Sequence, residues 1–341
     1  MLPDGRRLGA HLPLGGGMVK AVERAHQIGA SALQVFADNP TAWRRRSVPP
    51  RGLPEFRRRL VDLDIRPLAI HAAYLVNLAG PEKDFFERSV AVLGQEMIAG
   101  HEYGARFVNV HAGSHMGSGI EAGTKRIAEG VELVLGEIDA TPDTPRLVIE
   151  NSAGGGFGIG ATVEELANIG EAIEARGANA ARVAFCLDTA HLWGAGYEIS
   201  SPEVVGSVIE AFDRLIGLDR LVMVHLNDTK SDLASRSDRH EHLGAGRIGP
   251  AGLRAVLCHP SLAHVAYYLE TPGMEEGYDA INMARALDLV AGRPLPELPP
   301  EAFELRRDRK RAAPARTGGR PVPPAPRKSR TTVQKRDVCR K

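Results

Sequence analysis

Eight short apolar runs recur along the chain, near residues 8–14, 32–38, 66–73, 106–112, 146–151, 183–188, 221–226 and 265–270. Between them lie stretches of helical periodicity, among them MVKAVERAHQIG, FFERSVAVLGQEMIAGHEYG, IAEGVELVLGEI and VEELANIGEAIEARG. Strands that are apolar almost throughout belong in a parallel sheet covered by helices on its faces. Eight repeats of strand then helix predict a closed (β/α)8 barrel, with an open doubly wound sheet as the rival. The chain has 341 residues. That length would often mean two domains, but closed α/β barrels commonly run to about 250 residues as one unit.

Composition bounds the rest. Cys186, Cys258 and Cys339 lie far apart and form neither a disulfide framework nor a CxxC metal knuckle, which suits a reducing cytoplasm. No apolar run approaches bilayer-spanning length, and the opening MLPDGRRLGAHL is too polar for a signal peptide. The net charge of +1 hides an asymmetry. From Glu301 onward there are 14 Lys and Arg against 4 Asp and Glu; the preceding 300 residues hold 29 against 38. Residues 1–293 are expected to form the barrel. Residues 294–341, rich in Pro and Arg, are expected to be a disordered basic tail, either merely solvated or a sequence-independent anchor on a polyanion.

Six of the apolar runs close on a residue that can bind a metal: PLAIH on His71, FVNVH on His111, RLVIE on Glu150, VAFCLD on Asp188, LVMVH on His225 and VAYYLE on Glu270. His191 follows Asp188 by three residues, and Asp238 and His240 lie in the segment after His225. In barrel enzymes the chemistry sits at the C-terminal ends of the strands, so all nine would gather at one mouth. Four carboxylates and five imidazoles brought together would be costly without a compensating cation. Imidazole and carboxylate without thiolate suit zinc, manganese or iron, and nine ligands exceed what one zinc needs. With one bridging carboxylate they would serve three zinc ions, with manganese an alternative at some positions. Such multinuclear sites typically handle phosphate esters.

The segments HAAYLVNL from His71, NVHAGSH to His115, VIENSAG around Glu150, CLDTAH from Cys186, HLNDTKSDLASRSDRHEHLG from His225 and YLET around Glu270 resemble endonuclease IV. This is a family of zinc-dependent apurinic/apyrimidinic endonucleases on a TIM barrel, and the resemblance covers roughly residues 8–290. It implies that His71 and His111 bind a first zinc and that Glu150 bridges first and second. Asp188, His225 and Glu270 would complete the second, and His191, Asp238 and His240 would hold the third. Glu150 and Glu270 would be the catalytic carboxylates. The implied reaction is hydrolysis of the phosphodiester 5′ to an abasic site in double-stranded DNA, with removal of 3′-blocking groups besides. A monomer in the cytoplasm, associated with the nucleoid in a prokaryote, is expected.

The loops after strands two and three would meet the DNA, through Asn39, Trp43, Arg44, Arg45 and Arg46 and through Tyr74, Leu75 and Asn77. A nucleotide without a base costs least to turn out of the stack, which gives selectivity for the lesion. Two departures from the family pattern are visible: Thr41 stands where an arginine can occur, and Asp188-Thr189-Ala190-His191 replaces D-T-C-H. His115 and His242 are expected to orient ligands, and His11, His26, His101, His259 and His264 to be structural or solvent-facing. Gly15–Gly17 lacks the Lys-Ser/Thr of a P-loop, and the glycines of 154–160 read as a flexible loop. The rival function is a sugar isomerase or epimerase on a related barrel, which has no need of a third metal. A non-enzymatic DNA-binding scaffold would have no reason to retain mutually repelling carboxylates.

Overall fold

The apolar runs become the strands of a closed, all-parallel barrel in the computed structural model, which describes Leu2, residues 4–177 and residues 180–304. In chain order these are β1 (Arg7–His11), β2 (Ala32–Val35), β3 (Leu68–His71), β4 (Phe107–His111), β5 (Arg146–Glu150), β6 (Val183–Asp188), β7 (Leu221–His225) and β10 (Ala266–Leu269). Each pairs with its sequence neighbours, and β1 closes the ring against β10. Outside them run α1 (Met18–Gln27), α2 (Leu53–Asp62), α3 (Lys83–Tyr103), α4 (Ile120–Gly136), α5 (Val163–Ala175), α7 (Pro202–Leu215), α8 (Gly249–Leu257) and α9 (Tyr278–Ala291). A short α6 (Thr189–Ala195) follows β6 directly. The (β/α)8 expectation holds.

Strand residues alternate between two cores. One set fills the barrel: Ala32, Ala69, Ala184 and Ala266 leave room for Phe107, Met223 and Tyr268. The other packs between strands and helices. Tyr268 spans the interior and donates its hydroxyl to the carbonyl of Pro67 at 3.1 Å, so the one polar atom it brings inside is satisfied. Cys186 also points into this core, where burial pushes its thiol up to about 11 and leaves it a small inert hydrophobe. Gly9 of β1 admits no side chain, since a Cβ would lie 2.2 Å from the Ala32 carbonyl oxygen.

One element escaped the sequence reading. After β7 the chain forms a two-stranded antiparallel ribbon, β8 (Asp228–Thr229) against β9 (His240–Glu241). The buried Asp228 carboxylate anchors it by accepting from the backbone N–H groups of Thr229, Gly246, Ile248 and Gly249. The loop between the two strands is held from α6, where Trp193 Nε1 donates to Ser231 O at 3.0 Å and Gly194 O accepts from Arg236 N at 2.9 Å.

The expected boundary at residue 293 falls in a different place from the end of packing. Ala302 is buried, and its carbonyl accepts from Nε2 of the fully buried His242 at 3.0 Å. Phe303 lies edge-on to the same imidazole, and Arg285 reaches both Leu243 O and Pro296 O. Residues 294–304 therefore form a strap on the barrel, and His242 anchors that strap instead of orienting a ligand. The basic segment from 305 onward, with Cys339, lies outside the described residues. No helix among the described residues is long and apolar enough to cross a membrane. Truncation of the chain tests this strap. Ending the chain after Arg293 would strand a buried donor and uncover His242, and should cost about 1–3 kcal/mol in thermal or urea unfolding.

Candidate metal centre

Strand register decides which side chains meet. His111 is the register partner of Glu150, and Asp188 of His225, so neighbouring strand ends present ligand types side by side at the C-terminal rim. Asp188 has a second role as N-cap of α6, accepting from His191 N at 2.9 Å. Beginning the helix at the strand end brings His191 one turn on, beside Asp188. The β8–β9 ribbon carries Asp238 and His240 over the same rim from the other side.

All nine predicted ligands come together. Three groups form, and within each the donor atoms lie within 4.8 Å of one another: His71, His111 and Glu150; Glu150, Asp188, His225 and Glu270; Asp188, His191 and His240. Asp238 adjoins the last group, 3.3 Å from His191 Nε2 and 3.0 Å from His240 Nε2. Glu150 belongs to two groups, with Oε2 3.6 Å from His71 Nε2 and Oε1 3.1 Å from His225 Nδ1. Glu150 and Asp188 are fully buried, whereas the side chains of Glu270 and Asp238 are 16% and 51% exposed.

Backbone carbonyls fix the imidazole tautomers. Nδ1 of His71 donates to Ala72 O, that of His191 to Asn151 O and that of His240 to Glu270 O, at 2.8–2.9 Å. Each leaves Nε2 facing the centre as a lone-pair donor. His225 is reversed: Nε2 donates to Gln34 Oε1 at 3.0 Å, and Nδ1 faces Glu150. The residue set fits divalent cations on this ground. His240 Nε2 is buried with no aligned hydrogen bond, pointing between two carboxylates.

Several residues that support the centre were not singled out from sequence. Gln34 Nε2 donates to Glu270 Oε1 at 2.7 Å, tying that carboxylate to His225. Asn109 donates to Glu150 Oε2 at 2.5 Å and Asn227 to Asp188 Oδ2 at 2.6 Å; Asn227 also accepts from Glu270 N. His11, expected to be structural or solvent-facing, is buried at the mouth with Nδ1 3.3 Å from Glu270 Oε1. Placement at a strand end was the available signal for His11. His115, expected to orient a ligand, instead accepts from Gly117 N and Gly119 N and shapes its own loop.

The loop residues divide. Arg44 and Asn39 are exposed, as are Arg46 and Tyr74. Asn39 accepts from both N and Oγ1 of Thr41, so Thr41 closes the loop on itself. Trp43 packs edge-on to Phe85 at 4.9 Å, and Leu75 is half-buried. Two expected DNA contacts are committed elsewhere. Asn77 uses its amide on Ser114 O, Ser114 N and Ala79 N, bridging the loops after β3 and β4. Arg45 turns inward onto Glu96, whose carboxyl burial pushes up to about 7 against the pull of Arg45 and the Ala73 N–H.

A profile described as the xylose isomerase-like TIM barrel matches residues 22–291. A probable endonuclease 4 of Halothermothrix orenii is 36% identical over 282 residues, spanning 82% of this chain and 99% of the relative. The chain belongs to the endonuclease IV family. The crystal structure of endonuclease IV from Thermus thermophilus superposes with a TM-score of 0.72 at 36% identity, covering 84% of this chain and 99% of that one. A D-psicose 3-epimerase shares the fold at a TM-score of 0.58 and 14% identity, covering 84% and 97%. That likeness extends to the barrel alone.

Electrostatics makes this centre sensitive to pH when no cation is bound. Burial lowers the basicity of His240, but its contact with Asp238 and the charges of Asp188, Asp238 and Glu270 outweigh that and raise it to about 9. His71, His191 and His225 shift upward, burial being opposed by neighbouring carboxylates and, for His225, first by Cys186, while the His contacts hold Glu150 and Asp238 far below the usual carboxylate range. A raised histidine stabilises the fold fully below its unfolded value near 6.5, and that contribution is lost as pH rises through the folded value. Chelator-treated protein should therefore lose melting temperature between pH 6.5 and about 9. Added zinc should flatten that slope and release protons into a weak buffer. A flat apo profile would contradict this assignment.

Proposed function

We propose that the chain is a zinc-dependent hydrolase of damaged double-stranded DNA. It would cut the phosphodiester 5′ to an abasic site and clear blocked 3′ ends. The observation that carries this reading is the buried Glu150 shared by two donor groups, with a third group adjoining. Membership of the endonuclease IV family supports it. A sugar isomerase or epimerase with one or two metals would have no use for a third donor set at His191, Asp238 and His240.

His71, His111 and Glu150 would hold a first ion, Glu150, Asp188, His225 and Glu270 a second, and His191, Asp238 and His240 a third. Bound zinc, or manganese at some positions, would bring the pKa of water toward neutrality and neutralise charge on the phosphoryl oxygens. The protein's own part is placement. Gln34 and His11 fix one oxygen of Glu270, which is reachable from the mouth, and leave that carboxylate able to orient the attacking water or take its proton. Oxygen from water bonds to phosphorus while the bond to the 3′ oxygen breaks. The products are a 3′-hydroxyl and a 5′-deoxyribose phosphate.

Asn39, Arg44, Arg46, Tyr74 and Leu75 stand on the two loops after β2 and β3 and would meet the DNA backbone and the gap left by the missing base. Trp43 supports that surface through Phe85.

The deciding assay is incision of a duplex oligonucleotide carrying one tetrahydrofuran abasic analogue, which cannot undergo β-elimination. Metal-loaded protein should leave a 3′-hydroxyl end, and Glu150→Ala should abolish cutting and lose bound metal. Gln34→Ala should lower metal affinity by about 10- to 100-fold, as loss of a group that orients ligands does. Absence of cutting by fully loaded protein would overturn the reading.

A further inference from the structure

We propose that Glu96 and Arg45 form a clamp that locks the loops after β2 and β3 into one unit over the metal centre. This rests on the preceding reading only in naming DNA as what the loops meet.

Arg45 and Glu96 are an ion pair at 3.0 Å with side chains 8% and 4% exposed. Taking both charges out of water is expensive, and such pairs are weak evidence for stability alone; fixing one arrangement is their best-attested use. The geometry shows what is fixed. On the Arg45 side, NH1 donates to Asn39 O and Ala42 O at 3.1 and 2.7 Å, gathering the β2 loop around the guanidinium. On the other side, both Glu96 oxygens face Ala73 N at 3.1 and 3.3 Å, where the chain leaves the ligand His71 and enters the Tyr74–Asn77 loop. One carboxylate from α3 thus holds two loops that α2 and β3 separate along the chain.

The β2 loop needs such a strut. Its other polar ties are mostly internal, Asp38 to Arg46 and Asn39 to Thr41. Its further holds on α3 are the Tyr103 hydroxyl on Ala37 O and the Trp43–Phe85 contact. Between the loop and α3 lies an open pocket of about 130 Å³ lined by Arg45, Val48, Glu96, Ala99 and Tyr103. Without the charge pair the loop has space to settle into.

Two variants separate a clamp from a direct DNA contact. Glu96→Gln keeps the shape and removes the charge. If Arg45 is held away from DNA by its partner, this change frees a cation and KM for the abasic duplex should fall. If the pair positions the loops, KM should rise about tenfold, with kcat within about twofold and metal content unchanged. Arg45→Met, which also leaves Glu96 without its partner, is read by hydrogen exchange without DNA. The clamp predicts faster exchange in residues 39–46 and in 73–77 together, with Arg45→Lys partly restoring protection. Loosening of 39–46 alone, or a lower KM for Glu96→Gln, would overturn the proposal. Should the wild type fail to cut abasic DNA, the exchange experiment still decides the clamp, and only the functional reading falls.

Discussion

A carboxylate with no access to water governs this molecule. Glu150 sits at zero exposure among four imidazoles, contacting His71, His111, His191 and His225 at 3.1–3.8 Å. A buried charge persists only when paired or bound to a cation. Here the pairing is shared: the same two oxygens serve two donor groups, so whatever neutralises one side is felt on the other. In the absence of cations, protons on His71, His191 and His225 take that role, which is why their basicity rises, while burial lowers that of His111. The barrel holds this arrangement in register, since His71, His111, Asp188, His225 and Glu270 close other strands, while His191 comes from α6 and Asp238 and His240 from the ribbon.

Around the centre, fixed polar contacts replace flexibility. Gln34 joins His225 to Glu270, and Asn227 joins Asp188 to the backbone of Glu270. The mouth loops are stitched similarly, by Asn77 between β3 and β4, by Glu96 between β2 and β3, and by Trp193 between α6 and the ribbon loop. A site built this way has its geometry set before substrate arrives, which lowers the ordering cost at binding.

Much of this was legible in the sequence because parallel strands are apolar on both faces, and a polar residue closing such a run stands out. The six strand-end candidate ligands carried that signal, and the barrel gave it a place. His191, Asp238 and His240 were found by proximity in sequence and by resemblance. The supporting residues were harder. Gln34 and Asn109 lie within strand runs as single polar residues, and Asn227 follows one; nothing local says which way an amide is used. Arg45 looked like its neighbours Arg44 and Arg46, yet only a tertiary partner on α3 turns it inward. The strap at 294–304 was hidden because its prolines and charges resemble the segment that follows, while its anchors, His242 and Arg285, lie far back in the chain.

The most direct test of the central claim is anomalous diffraction from crystals of the zinc-loaded protein, recorded on both sides of the zinc edge. Three peaks per chain are expected: one at His71 and His111, one at Asp188, His225 and Glu270, with Glu150 between them, and one at His191, Asp238 and His240. A single peak, or occupied sites with Glu150 ligating none of them, would contradict it.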